Sequence, residues 1–260
     1  MNENDFYNHD NVVDMSYVEE HEVNAYVAKV FGWMFLGLVI TALTTGAIIY
    51  GMHVSYAFMD FVFAAMQMFF VIFIVQILLV GVLSRRVFTM HPSTAKALYV
   101  LYAMTNGLTV GMIVMIYAWY IVGPATVAMA FGITALSFGV MAIYGYVTKS
   151  DLTSFGNLFR MALFGIIIAS IANWFMGNAM LDFLICIVGL LIFLGLVAYD
   201  TQKIKYHFAQ VAVRGYNADG TVNEEQQALA SNLAIVGALM LYLDFINMFM
   251  FILRLLGRRR

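Results

Sequence analysis

The chain has 260 residues, of which 63% are hydrophobic and only 11% are charged, and its mean hydropathy is +0.87. Soluble domains are about 25% charged, so this chain lacks the polar residues that would cover a water-soluble globule of its size. Its apolar residues form blocks of about 20, the length that a helix needs to cross a bilayer. The composition therefore predicts an all-α integral membrane protein and argues against a soluble enzyme. A net charge of −2 gives no sign of a basic surface for nucleic acid.

The two ends of the chain differ in charge. Seven of the 15 acidic residues lie in the first 22 positions, and the chain ends in three arginines. An acidic, polar start lacks the positive n-region of a cleavable signal peptide, so we expect the first apolar span to be retained. This predicts an acidic cytoplasmic tail over 1–29, a membrane domain over 30–257 and a basic tail over 258–260. Cys186 is the only cysteine, which excludes an intramolecular disulfide and a cysteine-based metal site.

Seven apolar runs are long enough to be membrane spans. In chain order they are Val30–Tyr50, Phe61–Leu83, Ala97–Tyr120, Pro124–Val147, Phe159–Phe175, Leu181–Tyr199 and Leu233–Leu256. Pro124 is well placed to begin a helix, because its missing N–H would have no partner there anyway. Asp60 and Asp182 precede the second and sixth spans and are expected to cap them. Gly107 and Gly111 form a GxxxG pair, which we interpret as ordinary helix packing within the bundle.

Lysine and arginine are unevenly distributed among the connections between these spans. The second, fourth and sixth connections hold eight of them, with Arg160 at the edge of the fifth span included, and the first, third and fifth hold none. Because positive residues stay on the cytoplasmic side, this predicts a cytoplasmic N-terminus and a cytoplasmic connection over 202–232. In that connection we expect a turn at Asn217–Gly220, and the polar run Asn223–Gln227 to extend the last helix. Seven crossings put Arg258–Arg260 outside. Either this tail is an exception to the rule that positive residues stay on the cytoplasmic side, or the last segment does not fully cross the membrane. We favour seven full crossings.

Carboxylates inside apolar spans are functional candidates, because a charge in the bilayer costs several kcal/mol unless it is paired or hydrated. Asp244 lies within the last span, and Asn247 is a supporting polar residue one turn along the same face, so this helix is expected inside the bundle. Asp200 ends the sixth span on the side where the seventh begins, so the two carboxyl groups can approach each other. Entry at Leu233 would put Asp244 roughly 16 Å deep, so contact requires the hydrocarbon region to begin nearer Gly237.

A pair of neighbouring carboxyl groups has two chemical uses. Joint ionisation is unfavourable, so the pair can share one proton and act as a pH sensor. When ionised, it offers up to four oxygens to a cation, whereas calcium takes about six to eight. Arg85 or Arg86, at the end of the second span, could pair with one carboxylate. The sequence is equally consistent with a simpler interpretation. In that interpretation, Asp200 lies in a solvated helix end and Arg85 only reflects the excess of positive residues on the cytoplasmic side.

Residue types argue against several other membrane functions. A retinal-binding protein needs a lysine deep in a span, and an intramembrane serine protease needs a histidine there; neither occurs in the predicted spans. An intramembrane aspartyl protease also uses two carboxyl groups, but neither Asp200 nor Asp244 lies in a Gly-x-Gly-Asp sequence. A transporter would show a pair of helices interrupted by glycine or proline, and no such pair is evident. We therefore do not expect an enzyme.

The strings around the two aspartates are distinctive. They are Tyr199–Lys205 (YDTQKIK) and Leu241–Phe249 (LYLDFINMF), followed by Arg254–Gly257 (RLLG). Together they closely resemble the C-terminal signature of the transmembrane BAX inhibitor motif family, the Bax inhibitor-one-like proteins, in its bacterial branch. The resemblance covers about 30–257. It implies a seven-helix bundle with the C-terminal helix at its centre, and a pH-sensitive calcium leak channel.

The resemblance also implies roles for individual residues. Asp200 and Asp244 match the aspartate pair that serves as pH sensor and ion site, and whose protonation gates the pore. Arg85 matches the arginine that latches the closed state, and Arg86 is the alternative for that role. The chain departs from the shortest relatives in its acidic N-terminal extension and in its long connection over 202–232, which bears on regulation more than on the aspartate pair.

Some relatives are instead associated with suppressing cell death or with binding membrane proteases. This gives a second hypothesis: a non-conducting membrane regulator that binds membrane proteases or cell-death and stress proteins, with both aspartates structural. Under the first hypothesis the partners are calcium ions, as permeant or bound ion, and the lipid bilayer, and no cofactor is implied. Either hypothesis predicts a multi-pass protein of the bacterial cytoplasmic (inner) membrane.

Overall fold

The computed structural model describes residues 20–209 and 223–258, and all regular structure in these ranges is helical. The helices are α1 (Glu20–Val54), α2 (Tyr56–Gln67), α3 (Phe69–Arg85), α4 (Pro92–Ile116), α5 (Pro124–Val147), α6 (Gly156–Met176), α7 (Ala179–Lys203) and α8 (Glu224–Gly257). Short π-helical turns continue α4 to Ile121 and α7 to Phe208. Six helices are long and apolar enough to cross a membrane, or seven if α2 and α3 form one bent span. The predicted all-α membrane protein is confirmed.

Two helix starts follow the capping residues that the sequence offers. Pro124 begins α5, as predicted, directly after Gly123, whose φ of +84° favours glycine. Asn223 caps α8, because its side-chain oxygen accepts hydrogen bonds from two backbone N–H groups of the first turn. The polar run Asn223–Gln227 therefore does extend the last helix. The turn expected at Asn217–Gly220 lies outside the described residues.

The capping roles expected for Asp60 and Asp182 are wrong. Asp60 lies inside α2, and Ser55 instead accepts a hydrogen bond from the backbone N–H of the first turn at 3.3 Å. Asp182 lies in the first turn of α7, whose cap is Asn178, with hydrogen bonds of 2.9 and 3.1 Å. Both helices begin before the apolar run that marks them in the sequence, so the capping position lies earlier as well.

The predicted second span, Phe61–Leu83, is not one straight helix. It is divided at Met68 into α2 and α3, which are bent by 68° relative to each other. No proline or glycine marks this break. Instead, α2 packs on α1, where the ring of Phe58 lies beside Gly51, while α3 packs on α4. The two halves therefore follow different neighbours, and hydropathy alone contains no sign of that choice.

The first helix begins ten residues before its predicted apolar span. Residues 20–29 belong to α1, and Val23, Tyr26 and Val27 in this segment are buried. Of the predicted N-terminal tail over 1–29, residues 1–19 lie outside the described part of the chain. The remainder is a helical extension that packs against the bundle, where the hydroxyl of Tyr26 donates to the carbonyl of Ala230 in α8 at 3.5 Å.

The last helix lies at the centre of the bundle. It contacts α1, α4, α5 and α7, and 67% of its most apolar stretch is buried, against 6% for the span that contains α6. Among the described residues, it contributes nine of the 28 buried residues of the main apolar core, more than any other helix. This arrangement agrees with the central C-terminal helix that the family resemblance implied. It also explains how a helix carrying Asp244 is kept away from lipid.

Small residues bring other helices close together. The space beside Gly107 and Gly111 in α4 is filled by Thr44 and Thr45 of α1, and the hydroxyl of Thr45 donates to the carbonyl of Gly107 at 2.8 Å. This is ordinary packing within one bundle, as predicted for the GxxxG pair. Gly145 of α5 lies directly against the backbone of Ala198 in α7, two residues before Asp200.

The contact at Gly145 gives a stability prediction. A methyl group added at Gly145 would meet the backbone of α7, which cannot move aside as a flexible side chain would. We expect Gly145→Ala to lower the free energy of unfolding by about 1–3 kcal/mol, relative to a glycine-to-alanine change in open space. Gly139→Ala in the same helix provides that control, because nothing lies within 4 Å of its added methyl group. Thermal unfolding of both variants in detergent tests this, and equal melting temperatures would contradict it.

Candidate functional site

Two carboxyl groups meet inside the bundle. Asp200 lies in the last turn of α7 and Asp244 lies near the middle of α8, and these neighbouring helices run antiparallel. The two carboxyl groups are close enough to form a hydrogen bond with each other. Asp200 is 9% exposed and Asp244 is 5% exposed, so water covers very little of either residue. A hydrogen bond between two carboxyl groups requires one of them to carry a proton, so this arrangement suits a pair that shares one proton.

The surroundings of the pair are mostly apolar and closely packed. Val197 and Thr201 in α7, and Leu241 and Met248 in α8, are completely buried. Two oxygens there have no hydrogen-bond partner among the described residues: Oδ2 of Asp244 and the hydroxyl of Thr201. Lys203, one turn further along α7, is the cation that interacts with Asp200. The pair therefore has spare oxygen ligands, and a positive charge lies at its α7 side.

A hydroxyl chain fixes α8 beside the pair. The hydroxyl groups of Tyr242 and Thr41 are 2.6 Å apart, and that of Thr41 lies 3.0 Å from the carbonyl oxygen of Ala103 in α4. The ring of Tyr242 also makes edge-to-face contacts with Tyr99 and Tyr102 of α4. These contacts join α8 to α1 and α4 two residues before Asp244. They hold the helix in the rotation that turns the carboxyl group toward α7.

As a cation site the pair is incomplete by itself. Its two carboxyl groups supply at most four oxygens, and a calcium ion takes about six to eight. Within 20–209 and 223–258, no group of three or more histidine, cysteine, aspartate or glutamate side chains is placed to hold a metal ion. A cation at the pair would therefore need water or backbone carbonyl oxygens for the rest of its ligands. Such an open ligand set suits an ion in transit better than a structural metal.

The chain matches a family model described as "Inhibitor of apoptosis-promoting Bax1" over residues 23–260. That match covers α1 from Val23 onward and all the helices that follow, and it includes both aspartates. The chain belongs to this family. The resemblance found in the sequence around Asp200 and Asp244 is thereby confirmed.

Related bacterial proteins match over nearly their whole length. The "Inner membrane protein YbhL" of Escherichia coli K12 is 37% identical over 241 residues, which cover 92% of this chain and 93% of that protein. A protein of Borreliella burgdorferi is 37% identical over 237 residues, with 91% and 93% covered. A membrane protein of Streptococcus pyogenes serotype M3 is 30% identical over 236 residues, with 91% and 93% covered.

The structure does not bring the predicted latch residues to the aspartate pair. Arg85 ends α3 and Arg86 follows it, and both residues are exposed. In the described part of the chain, neither arginine forms an ion pair with Asp200 or Asp244. Their latch role stays a prediction, and it requires a second conformation of this end of α3. Asn247, the predicted supporting residue, donates to the carbonyl of Leu243 at 2.8 Å and lines a cavity beside α8.

One charged cluster was missed by the sequence reasoning. In the last turn of α8, Arg254 forms an ion pair and a hydrogen bond with Asp182 of α7. Arg258 lies 3.5 Å from the same carboxylate and also donates to the carbonyl of Ala179. This cluster joins the end of α8 to the start of α7. The signal for it was an acidic residue and two arginines at the same end of two predicted spans.

This cluster predicts a modest contribution to stability. Replacing Asp182 by asparagine leaves Arg254 and Arg258 without their counter-charge. The side chains are about one quarter to one third exposed, at 26%, 32% and 28%, so solvent screens the interaction. We expect Asp182→Asn to lower the free energy of unfolding by roughly 0.5–1 kcal/mol, and high salt to reduce the difference.

The matched control is Asp60→Asn, the same change at an exposed aspartate in α2. Thermal unfolding in detergent at low and high salt compares the two variants. A drop that is equal in both variants, or that does not respond to salt, would show that the ion pair contributes nothing specific.

Proposed function

We propose that the protein is a pH-sensitive calcium leak channel of the bacterial inner membrane, gated by protonation of the Asp200–Asp244 pair. The observation that carries this proposal is the hydrogen bond between two buried carboxyl groups from adjacent helices of the bundle. A carboxyl pair kept inside a membrane bundle costs several kcal/mol compared with apolar side chains. Such a cost is expected at an ion or proton site, and a purely structural contact would not require it.

The pair offers two states that differ in charge. With a shared proton, the two helices are joined by a hydrogen bond and the pair carries one negative charge. Without that proton, the two carboxylates repel each other and present up to four oxygens to a cation. Proton and calcium therefore compete for the same oxygens, because a cation binds the deprotonated form. This competition couples the occupancy of the pair to pH.

The direction of the pH effect follows from the latch. An ion pair between Arg85 and one aspartate needs an ionised carboxylate, whereas the Asp200–Asp244 hydrogen bond needs a proton. Lower pH thus favours the hydrogen-bonded pair and disfavours the latched one. The exposed position of Arg85 in this structure agrees with the unlatched arrangement. If the latched form is the closed form, calcium flux rises as the pH falls.

The location and orientation belong to the same proposal. The related Escherichia coli protein is named an inner membrane protein, and the described helices include six or seven candidate spans. The distribution of lysine and arginine supports a cytoplasmic N-terminus, which puts Asp200 in the cytoplasmic half of the membrane. The positive residues Arg254 and Arg258 then lie at the outer end, where their contacts with Asp182 offset the cost of that position.

The second candidate function is a non-conducting membrane regulator that binds membrane proteases or cell-death and stress proteins. The description of the family as an inhibitor of an apoptosis-promoting protein favours it. In that case the carboxyl pair would serve only to hold α7 against α8. The two functions differ in one measurable property, since a regulator requires no ion flux.

Calcium flux into liposomes that contain the purified protein tests the proposal. In the native chain we expect flux to increase severalfold from about pH 8 to about pH 5. An asparagine cannot ionise, so Asp200→Asn and Asp244→Asn should each vary by less than about twofold over the same range. Asp60→Asn, the same change away from the pair, should keep the native pH profile. Absence of flux at every pH from a folded protein would contradict the channel and favour the regulator.

The latch gives a separate prediction. If Arg85 holds one carboxylate in the closed form, Arg85→Ala should raise calcium flux about tenfold near pH 8 and change it little near pH 5, where the pair is protonated. Arg86→Ala is the matched comparison, because its arginine is adjacent and equally exposed. A flux that rises only in Arg86→Ala would assign the latch to that residue, and unchanged flux in both variants would contradict a latch at this position.

A further inference from the structure

A second polar site lies beside α8, between that helix and α3 and α4. A cavity of about 360 Å³ lies between α3, α4 and α8 and is partly open at the surface of the bundle, where Phe73 and Ile77 are exposed. Most of its lining is apolar, but three side-chain amides reach it, one from each helix: Gln76, Asn106 and Asn247. Gln76 and Asn106 are 6% and 5% exposed. We call this space the amide cavity.

Each of the three amides donates one N–H to a protein group, which leaves its oxygen and its second N–H for the contents of the cavity. Gln76 donates to the hydroxyl of Thr109 at 3.0 Å, and Asn106 donates to the hydroxyl of Tyr102 at 3.1 Å. Asn247 donates to a backbone carbonyl of its own helix. None of the three amide oxygens has a hydrogen-bond donor among the described residues. The polar part of the cavity therefore offers three carbonyl oxygens, each beside one remaining N–H.

Acceptors at membrane depth restrict what can fill the cavity. A lipid chain would leave all three amide oxygens without a partner, at a cost of about 1–3 kcal/mol each. Water satisfies them, and the cavity is roomy and polar enough to hold several water molecules. The three carbonyl oxygens are also ligands of the kind that stabilise a hard cation.

The amide cavity continues the site of the carboxyl pair along α8. Asn247 follows Asp244 by three residues, so the two side chains lie on adjacent parts of the helix surface about one turn apart. From Asn247 the lining continues to Met250, toward the end of α8 that carries Arg254. It also extends along α3 from Val80 to Phe69, which spans about three helical turns. The cavity thus lies between the carboxyl pair and the far end of the bundle.

We infer that the amide cavity is a hydrated chamber through which the permeating cation passes, in series with the Asp200–Asp244 pair. Gln76, Asn106 and Asn247 stabilise the cation and its water by their carbonyl oxygens. This inference rests on the proposed channel function and adds a second ion site to it. Hydration of the chamber itself can be measured without any ion flux.

Cysteine accessibility tests the hydration. With the native cysteine removed by Cys186→Ala, Ile246→Cys lines the cavity and leaves all three amides in place. A thiol reacts as the thiolate, which forms only where water reaches it. In liposomes, a charged, membrane-impermeant methanethiosulfonate should label Ile246→Cys at least about tenfold faster than Leu136→Cys. Leu136 is the control because it is 72% exposed on the outer surface of α5 within a candidate span, where lipid would cover it.

Flux measurements test the role of the amides. Gln76→Leu and Asn106→Leu keep the approximate size of the side chain but remove its oxygen, and each should reduce calcium flux about threefold to tenfold. Gln67→Leu is the matched control, since it makes the same change at an exposed position at the end of α2. The pH profile should keep its midpoint in these variants, because the carboxyl pair is intact.

The outcomes separate this inference from the proposed function. Native flux together with unlabelled Ile246→Cys, or with unaffected amide variants, overturns the chamber and leaves the channel in place. Labelling in detergent that is lost in liposomes means that lipid fills the cavity, which also overturns it. Labelling without any native flux contradicts the channel, and the assignment of the cavity to a permeating cation fails with it. Labelling in liposomes with reduced flux in both amide variants supports the chamber.

Discussion

The contact between Asp200 and Asp244 is the constraint on which the rest of the bundle depends. Two carboxyl groups can be kept inside a membrane protein only if they are shielded from lipid and have a partner. The chain meets the first condition by surrounding α8 with four other helices, and the second by packing α7 antiparallel beside it. The close approach of α5 to α7 at Gly145 and the hydroxyl chain through Tyr242 then fix these helices at the level of the pair.

Much of this arrangement could be predicted from the sequence. Hydropathy located the spans, because a helix that crosses a bilayer needs a long apolar run, and Asp244 indicated an inner helix because a charge cannot face lipid. The bend between α2 and α3 could not be predicted, since it depends on which neighbours the two halves pack against. The partner of Asp182 was missed for a related reason: Arg254 is 72 residues away in the chain, and only the antiparallel register of α7 and α8 brings them together.

The amide cavity shows the same limit more clearly. Gln76 and Asn106 each lie alone in an apolar run, and a single amide in a membrane span is compatible with many kinds of helix contact. Their common property, an oxygen without a donor, exists only after three helices are assembled. Asp200 and Asp244 could be recognised because each lies in a distinctive string. A site made of scattered amides has no such local sequence pattern, so it depends on the tertiary structure for its detection.

Both polar sites share α8, and this has a mechanical consequence. Asp244 faces α7 and Asn247 faces the cavity beside α3 and α4, so a rotation or shift of α8 would change both sites together. Under the proposed function, loss of the shared proton would replace a hydrogen bond by a repulsion between α7 and α8, and the force would fall on a helix that also lines the cavity. In that mechanism, a proton at the carboxyl pair would alter the width of the amide cavity. No separate signal between the two sites is needed, because one rigid helix carries a residue of each.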